Sequence, residues 1–211
     1  MELEEQNERL NESEQSVETK TERAGTKGTA KKPKIFTTKR IVLMAMFTAL
    51  SYVVSLFDFP IFPAAPFLKL DFGNVFIMLV AFLLGPVEGV IVCVLKEGLR
   101  IPVGSTGGVG ELANIIMTCS YILIPSILYR LQKGLKTVIP SLAVACFVAS
   151  GVALLTNCFI LFPLYVPNPG ELFASTWGFV LVFNLIKTTS ISVLTLLLYK
   201  RLSNFIKGLK V

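Results

Sequence analysis

The chain contains no histidine. A histidine-bearing metal site, a Cys–His nucleophile and a Ser–His relay are excluded from the outset. The four cysteines, Cys93, Cys119, Cys146 and Cys158, never form a C-x-x-C pair, and each lies in an apolar run. Such residues act as small apolar packing groups, so no metal is expected. No G-x-x-x-x-G-K-[ST] stretch is present, which removes a phosphate cradle for nucleotide hydrolysis. Acidic side chains are scarce after residue 37, where only Asp58, Asp71, Glu88, Glu97, Glu111 and Glu171 occur. No pair of aspartates falls on facing apolar segments, so aspartyl chemistry within a membrane also lacks its residues. Residues 1–37 have no apolar core of the secretory-signal kind.

Apolar residues dominate what remains: of 211 residues, 53% are hydrophobic, which is the composition of a membrane protein. The distribution is uneven. Residues 1–37 run from Glu-rich to Lys-rich with Gly, Thr and Ser between, and are expected to be a disordered, charged cytoplasmic tail. Residues 38–203 are expected to form one membrane domain, followed by a short cytoplasmic tail, 204–211. Six apolar segments fall near 38–57, 71–84, 87–101, 110–131, 138–162 and 175–200. A straight span needs about 20 residues, so the second and third are short and are expected to be sheltered by the others. Gly85-Pro86 makes the tight turn between them. The expected fold is therefore all-α, a bundle of six transmembrane helices in the lipid bilayer.

Charge sets the orientation. Lys27, Lys31, Lys32, Lys34, Lys39 and Arg40 precede the first segment, Arg130, Lys133 and Lys136 join the fourth to the fifth, and Lys200, Arg201, Lys207 and Lys210 follow the sixth. The opposite side receives Lys69 and Arg100. The positive-inside rule then places both termini in the cytoplasm. Because the basic residues cluster at segment ends, the net charge of +6 does not point to nucleic acid. The outer connections are expected at 58–70, 102–109 and 163–174. The first, rich in Pro and Phe, is stiff and apolar, and either folds over the bundle as a lid or lies on the membrane interface.

Lys187 stands near the middle of the last apolar segment, with Asn184 one turn earlier and Asn157 in the segment before. A lysine at mid-bilayer costs roughly 2.5–3.5 kcal/mol and usually faces a cavity or a partner. Positions i and i+3 share a helix face. No other segment concentrates hydrogen-bonding groups at depth in this way, so this is where a polar solute pocket is expected. Lys96, Glu97, Arg100 and Glu111 are expected to pair among themselves as a structural network. Ala45-x-x-x-Ala49 is a small-x-x-x-small pattern that admits a close helix contact. The Gly-rich run 104–110 is expected to make a tight connection.

Four stretches together resemble a known family: Ala45-Met-Phe-Thr-Ala49; Ala65-Pro-Phe-Leu-Lys-Leu-Asp71; Leu84-Gly-Pro86 with Ser105-Thr-Gly-Gly-Val-Gly-Glu-Leu-Ala-Asn114; and Asn157 with Asn184-Leu-Ile-Lys187. Over residues 38–203 the chain resembles the S component, the substrate-binding membrane subunit, of energy-coupling factor (ECF) vitamin transporters, and most of all the riboflavin-specific branch. The resemblance implies a non-enzymatic subunit for vitamin uptake with no cofactor of its own, riboflavin being the transported ligand. It implies that Asn157, Asn184 and Lys187 hydrogen-bond the flavin ring and that Phe67, Leu68 and Lys69 belong to the loop closing the pocket. Ala45 and Ala49 would meet a transmembrane coupling subunit, and two cytoplasmic ATPase subunits would supply the energy.

The chemistry suits that ligand. The pyrimidine edge of an isoalloxazine presents two carbonyl acceptors flanking an N–H, which an asparagine amide can match, while an ammonium donates to a carbonyl or ring nitrogen. Three other readings compete: an S component for another vitamin or a base-like solute, an intramembrane enzyme acting on a lipid-like substrate with Lys187 as base, and an autonomous carrier. The enzyme lacks histidine and an acidic cluster. The carrier requires an internal repeat, and none is visible between the halves.

Overall fold

Helix follows helix from residue 38 onward, in lengths that the apolar segments foretell. The computed structural model describes residues 37–104, 107–132 and 134–208. The expected tail, residues 1–37, lies outside them apart from Thr37. Helix α1 spans Thr38–Ser55, α2 Asn74–Leu83, α3 Pro86–Arg100, α4 Val109–Leu131, α5 Leu135–Thr156, α6 Phe162–Tyr165 and α7 Pro169–Gly208. A single π-helical turn, Asn157–Leu161, joins α5 to α6. Among the described residues, four stretches are long and apolar enough to cross a membrane: Thr38–Ser55, Val109–Leu131, Lys136–Tyr165 and Pro169–Tyr199.

The short pair behaves unequally. Helix α2, 10 residues long, is buried almost throughout and touches α1, α3, α4 and α7, so it is sheltered as expected. Helix α3 is not: Val87, Val94, Leu95 and Leu99 are exposed on one face, while Glu88, Lys96 and Glu97 are buried on the other. That inverted pattern, apolar out and polar in, suits a helix whose surroundings are hydrocarbon. The same inversion runs around the bundle, where Ile41, Met46, Phe147, Phe159, Ile186 and Leu197 are exposed. Gly89 lets α3 approach α2, since a β-carbon there would stand 2.7 Å from the Ala81 β-carbon. Gly85, at φ 145°, makes the turn between them in a conformation few other residues adopt, and Pro86 then opens α3.

Two further expectations are corrected. The connection 58–70 is not wholly irregular, within a fold whose other described elements are helical. Phe59–Pro60 (β1) pairs antiparallel with Lys69–Leu70 (β2), Phe59 opposite Leu70 and Pro60 opposite Lys69. The ribbon satisfies backbone groups at the two feet of the loop, and its edge position tolerates proline. The segment 163–174 is not a loop of that length: only residues 166–168 separate α6 from α7. Pro163 and Pro169 sit in the first turns of helices, where a missing N–H is no loss. The last helix runs to Gly208.

Candidate functional site

A cavity with about 810 Å³ of space free of atoms, partly continuous with the outside, opens beneath the β1–β2 hairpin. Asn157, Asn184, Lys187, Phe67, Leu68 and Lys69 all line it, so residues far apart in the chain converge on one space. Ala45 and Ala49 are elsewhere, exposed on the outer face of α1.

Helix α7 supplies two of the polar groups. Asn184 is buried and donates through Nδ2 to the Val180 carbonyl at 2.8 Å. Lys187, one turn on, is 5% exposed; its Nζ donates to Asn114 Oδ1 at 2.7 Å and stands 5.9 Å from the Phe183 ring centroid. Asn157 opens the π-helical turn and donates through Nδ2 to the Ala153 carbonyl at 2.7 Å. Its Oδ1 is buried with no hydrogen-bond partner among the described residues. An orphaned acceptor in a cavity wall costs about 1–3 kcal/mol unless a ligand or water donates to it. Wide turns of this kind recur at functional sites.

The expectation that α7 and Asn157 hold the greatest concentration of polar groups is overturned. The opposite wall is richer. Lys96, 0% exposed, pairs with Asp71, donates to Glu97 Oε1 at 2.6 Å and reaches Asn74 Oδ1 at 3.2 Å. Asn114 donates to Glu97 Oε1, and Asn74 donates to Thr118 Oγ1 at 3.0 Å. Arg100 pairs with Asp58, donates to the Ser55 carbonyl at 2.8 Å and lies 3.5 Å from Asp71. Of the network expected among Lys96, Glu97, Arg100 and Glu111, the Lys96–Glu97 pair is present, whereas Arg100 pairs with Asp58 and Asp71, which that expectation does not include. Asp71, Glu97, Arg100, Glu111 and Asn114 also face the cavity. The signal for this wall was in the sequence: Lys96-Glu97 interrupts an apolar helix, and ionisable groups at such depth point to function by default.

The hairpin is seated on the bundle instead of lying at its edge. Phe67 meets Phe162 edge to face, Phe62 lies 5.5 Å from Phe179, and Ala65 and Leu68 are buried against Phe162, Val180 and Phe183. Arg100 holds both feet, since Asp58 precedes β1 and Asp71 follows β2. In the Gly-rich run, residues 105 and 106 lie outside the described residues, and the chain enters α4 through Gly108 at φ 93°.

Known proteins share this architecture. Over 176 residues the chain is 34% identical to the riboflavin transporter RibU of Staphylococcus aureus (strain TCH60), covering 80% of this chain and 93% of that protein. It is 27% identical over 180 residues to the riboflavin transporter FmnP of Bacillus subtilis (strain 168), covering 80% and 94%. A solved structure, reported under "Structure and mechanism of the S component of a bacterial ECF transporter", matches with a TM-score of 0.71 at 34% identity, over 81% of this chain and 98% of that one. The family model for the ECF transporter substrate-specific component matches residues 39–199. The chain belongs to the substrate-specific components of ECF transporters.

Proposed function

We propose that this multi-pass membrane subunit captures riboflavin in the cavity beneath the hairpin and delivers it for uptake. The observation that carries the reading is the convergence of Asn157, Asn184 and Lys187 on one cavity, with a buried Asn157 oxygen awaiting a donor. That oxygen suits the ring N–H of the flavin pyrimidine edge, and the Lys187 ammonium suits a neighbouring carbonyl or ring nitrogen. Phe67, Leu68 and Lys69 close the site from the hairpin, and apolar neighbours such as Leu161 and Phe183 cover the ring. The two relatives named above are riboflavin transporters, which supports the same ligand.

As a substrate-binding component the subunit is not an enzyme. Its energy comes from two cytoplasmic ATPase subunits through a transmembrane coupling subunit, which meets the small-residue face at Ala45 and Ala49. Six spans with both termini in the cytoplasm fit the positions of the basic residues, and place the hairpin and the cavity mouth outside.

Titration of the purified protein with riboflavin, followed by quenching of flavin fluorescence, tests the reading. Asn184→Leu and Lys187→Met should each weaken binding roughly 5- to 150-fold, because each leaves a ligand atom buried without its hydrogen bond. Unchanged affinity in both variants would move the pocket elsewhere. Binding of another vitamin and not of flavin would keep the family and change the ligand.

A further inference from the structure

Asn114 lies between two charges that do not touch. Its Oδ1 accepts from Lys187 Nζ at 2.7 Å, and Asn74 Nδ2 approaches the same oxygen at 3.4 Å. Its Nδ2 donates to Glu97 Oε1. The orientation of the amide is therefore determined on both sides: a flip would set a donor against the ammonium and an acceptor against the carboxylate. Glu97 is in turn held by Lys96, at 2.6 Å, and Lys96 by Asp71. The charges alternate along this line, and only the link to Lys187 passes through a neutral group.

The neutral link matters chemically. Direct contact between Lys187 and Glu97 would saturate the ammonium with a full negative charge and turn it away from the cavity. Through the amide, the carboxylate still compensates the lysine's charge at depth, while the ammonium keeps hydrogens free for another acceptor. A lysine without this anchor has a flexible four-carbon stem and many positions to sample. The amide thus selects one of them.

From this geometry we infer that Asn114 is a positioning residue for Lys187, setting the ammonium for the ligand without itself being required as a ligand contact. The inference rests on the reading of the cavity as the riboflavin site. It accounts for a residue that neither the apolar pattern nor the ion pairs explain.

A double-mutant cycle with Lys187→Met tests it, using riboflavin as the probe and thermal unfolding in detergent to confirm that each variant is folded. Asn114→Leu should raise the Kd roughly 10-fold or more in the parent, as for loss of a hydrogen bond to a charged group. In the Lys187→Met background the same change should move Kd less than about twofold, because contacting residues couple and independent ones add. The visible spectrum of flavin bound to Asn114→Leu should converge on that of flavin bound to Lys187→Met. Asn114→Ser, with a small polar group in the gap, repeats the cycle if the leucine variant does not fold. Equal losses in both backgrounds overturn the inference, since Asn114 would then act on the ligand or the fold independently of Lys187. A parent protein that binds no riboflavin overturns the functional reading, and the inference with it.

Discussion

Phe67 and Phe162 meet with ring planes at 90° and centroids 5.9 Å apart. One ring belongs to the hairpin over the cavity and the other to the short helix that follows the π-helical turn. The contact ties the cover to the wall that carries Asn157. Aromatic pairs of this geometry contribute about 0.5–1.5 kcal/mol beyond their buried area. Phe67→Ala should therefore speed release of bound riboflavin roughly 2- to 12-fold in a stopped-flow chase. An unchanged release rate would mean that the hairpin does not retain the ligand.

Arg100 and Lys69 both reach Asp58, but unequally. The Arg100 side chain is 15% exposed and has three partners, whereas Lys69 is 38% exposed and stands 3.6 Å away. Arg100→Leu leaves Asp58 with only the distant Lys69 and the Ser55 carbonyl without its donor, and should lower stability by up to about 3–5 kcal/mol, the range for a broken buried pair. Lys69→Met should cost less than about 1 kcal/mol, as expected for an exposed pair. Thermal unfolding in detergent would show the difference, and equal losses would contradict the role given to Arg100.

Ala45 and Ala49 are exposed one turn apart on α1. Ala49→Trp should abolish riboflavin uptake by cells while the purified subunit binds the vitamin with parental affinity, because bulk on that face blocks a close helix contact. Loss of binding along with uptake would place the alanine in the packing of the subunit itself.

Gly89 and Gly98 sit on the same helix in opposite circumstances. A β-carbon at Gly89 would meet the Ala81 β-carbon at 2.7 Å, and one at Gly98 would find nothing within 4 Å. Gly89→Val should destabilise the protein by about 1–3 kcal/mol through overpacking. Gly98→Ala should leave it unchanged or raise stability by up to about 1 kcal/mol, from helix propensity. Melting temperatures of the two variants would separate them.

Much of this was legible in the chain. Lys187 and Asn184 were visible because they break an apolar run, and their spacing placed them on one face. The turn at Gly85-Pro86 was equally plain. What stayed hidden depends on long-range approach. Asn114 takes its meaning from Glu97, 17 residues before it, and Lys187, 73 residues after it, and no local pattern joins the three. The stretch 163–174 reads as a connection between two apolar segments; proline marks both loops and helix starts, and only packing shows that Pro163 and Pro169 open helices. The ribbon at Phe59–Pro60 and Lys69–Leu70 is too short to show alternation.

The π-helical turn at Asn157–Leu161 makes the site a matter of counting. Each residue of an α-helix advances the chain by about 1.5 Å and 100°. Here the Phe162 N–H reaches back five residues to the Asn157 carbonyl, so the turn absorbs one residue more than an α-helical turn holds. One residue removed there would let regular helix form with its two flanks nearly in their present register, leaving Phe162 against the hairpin and changing the wall only around Asn157. The extra residue thus shapes the cavity wall locally, and the packing on either side of it is spared.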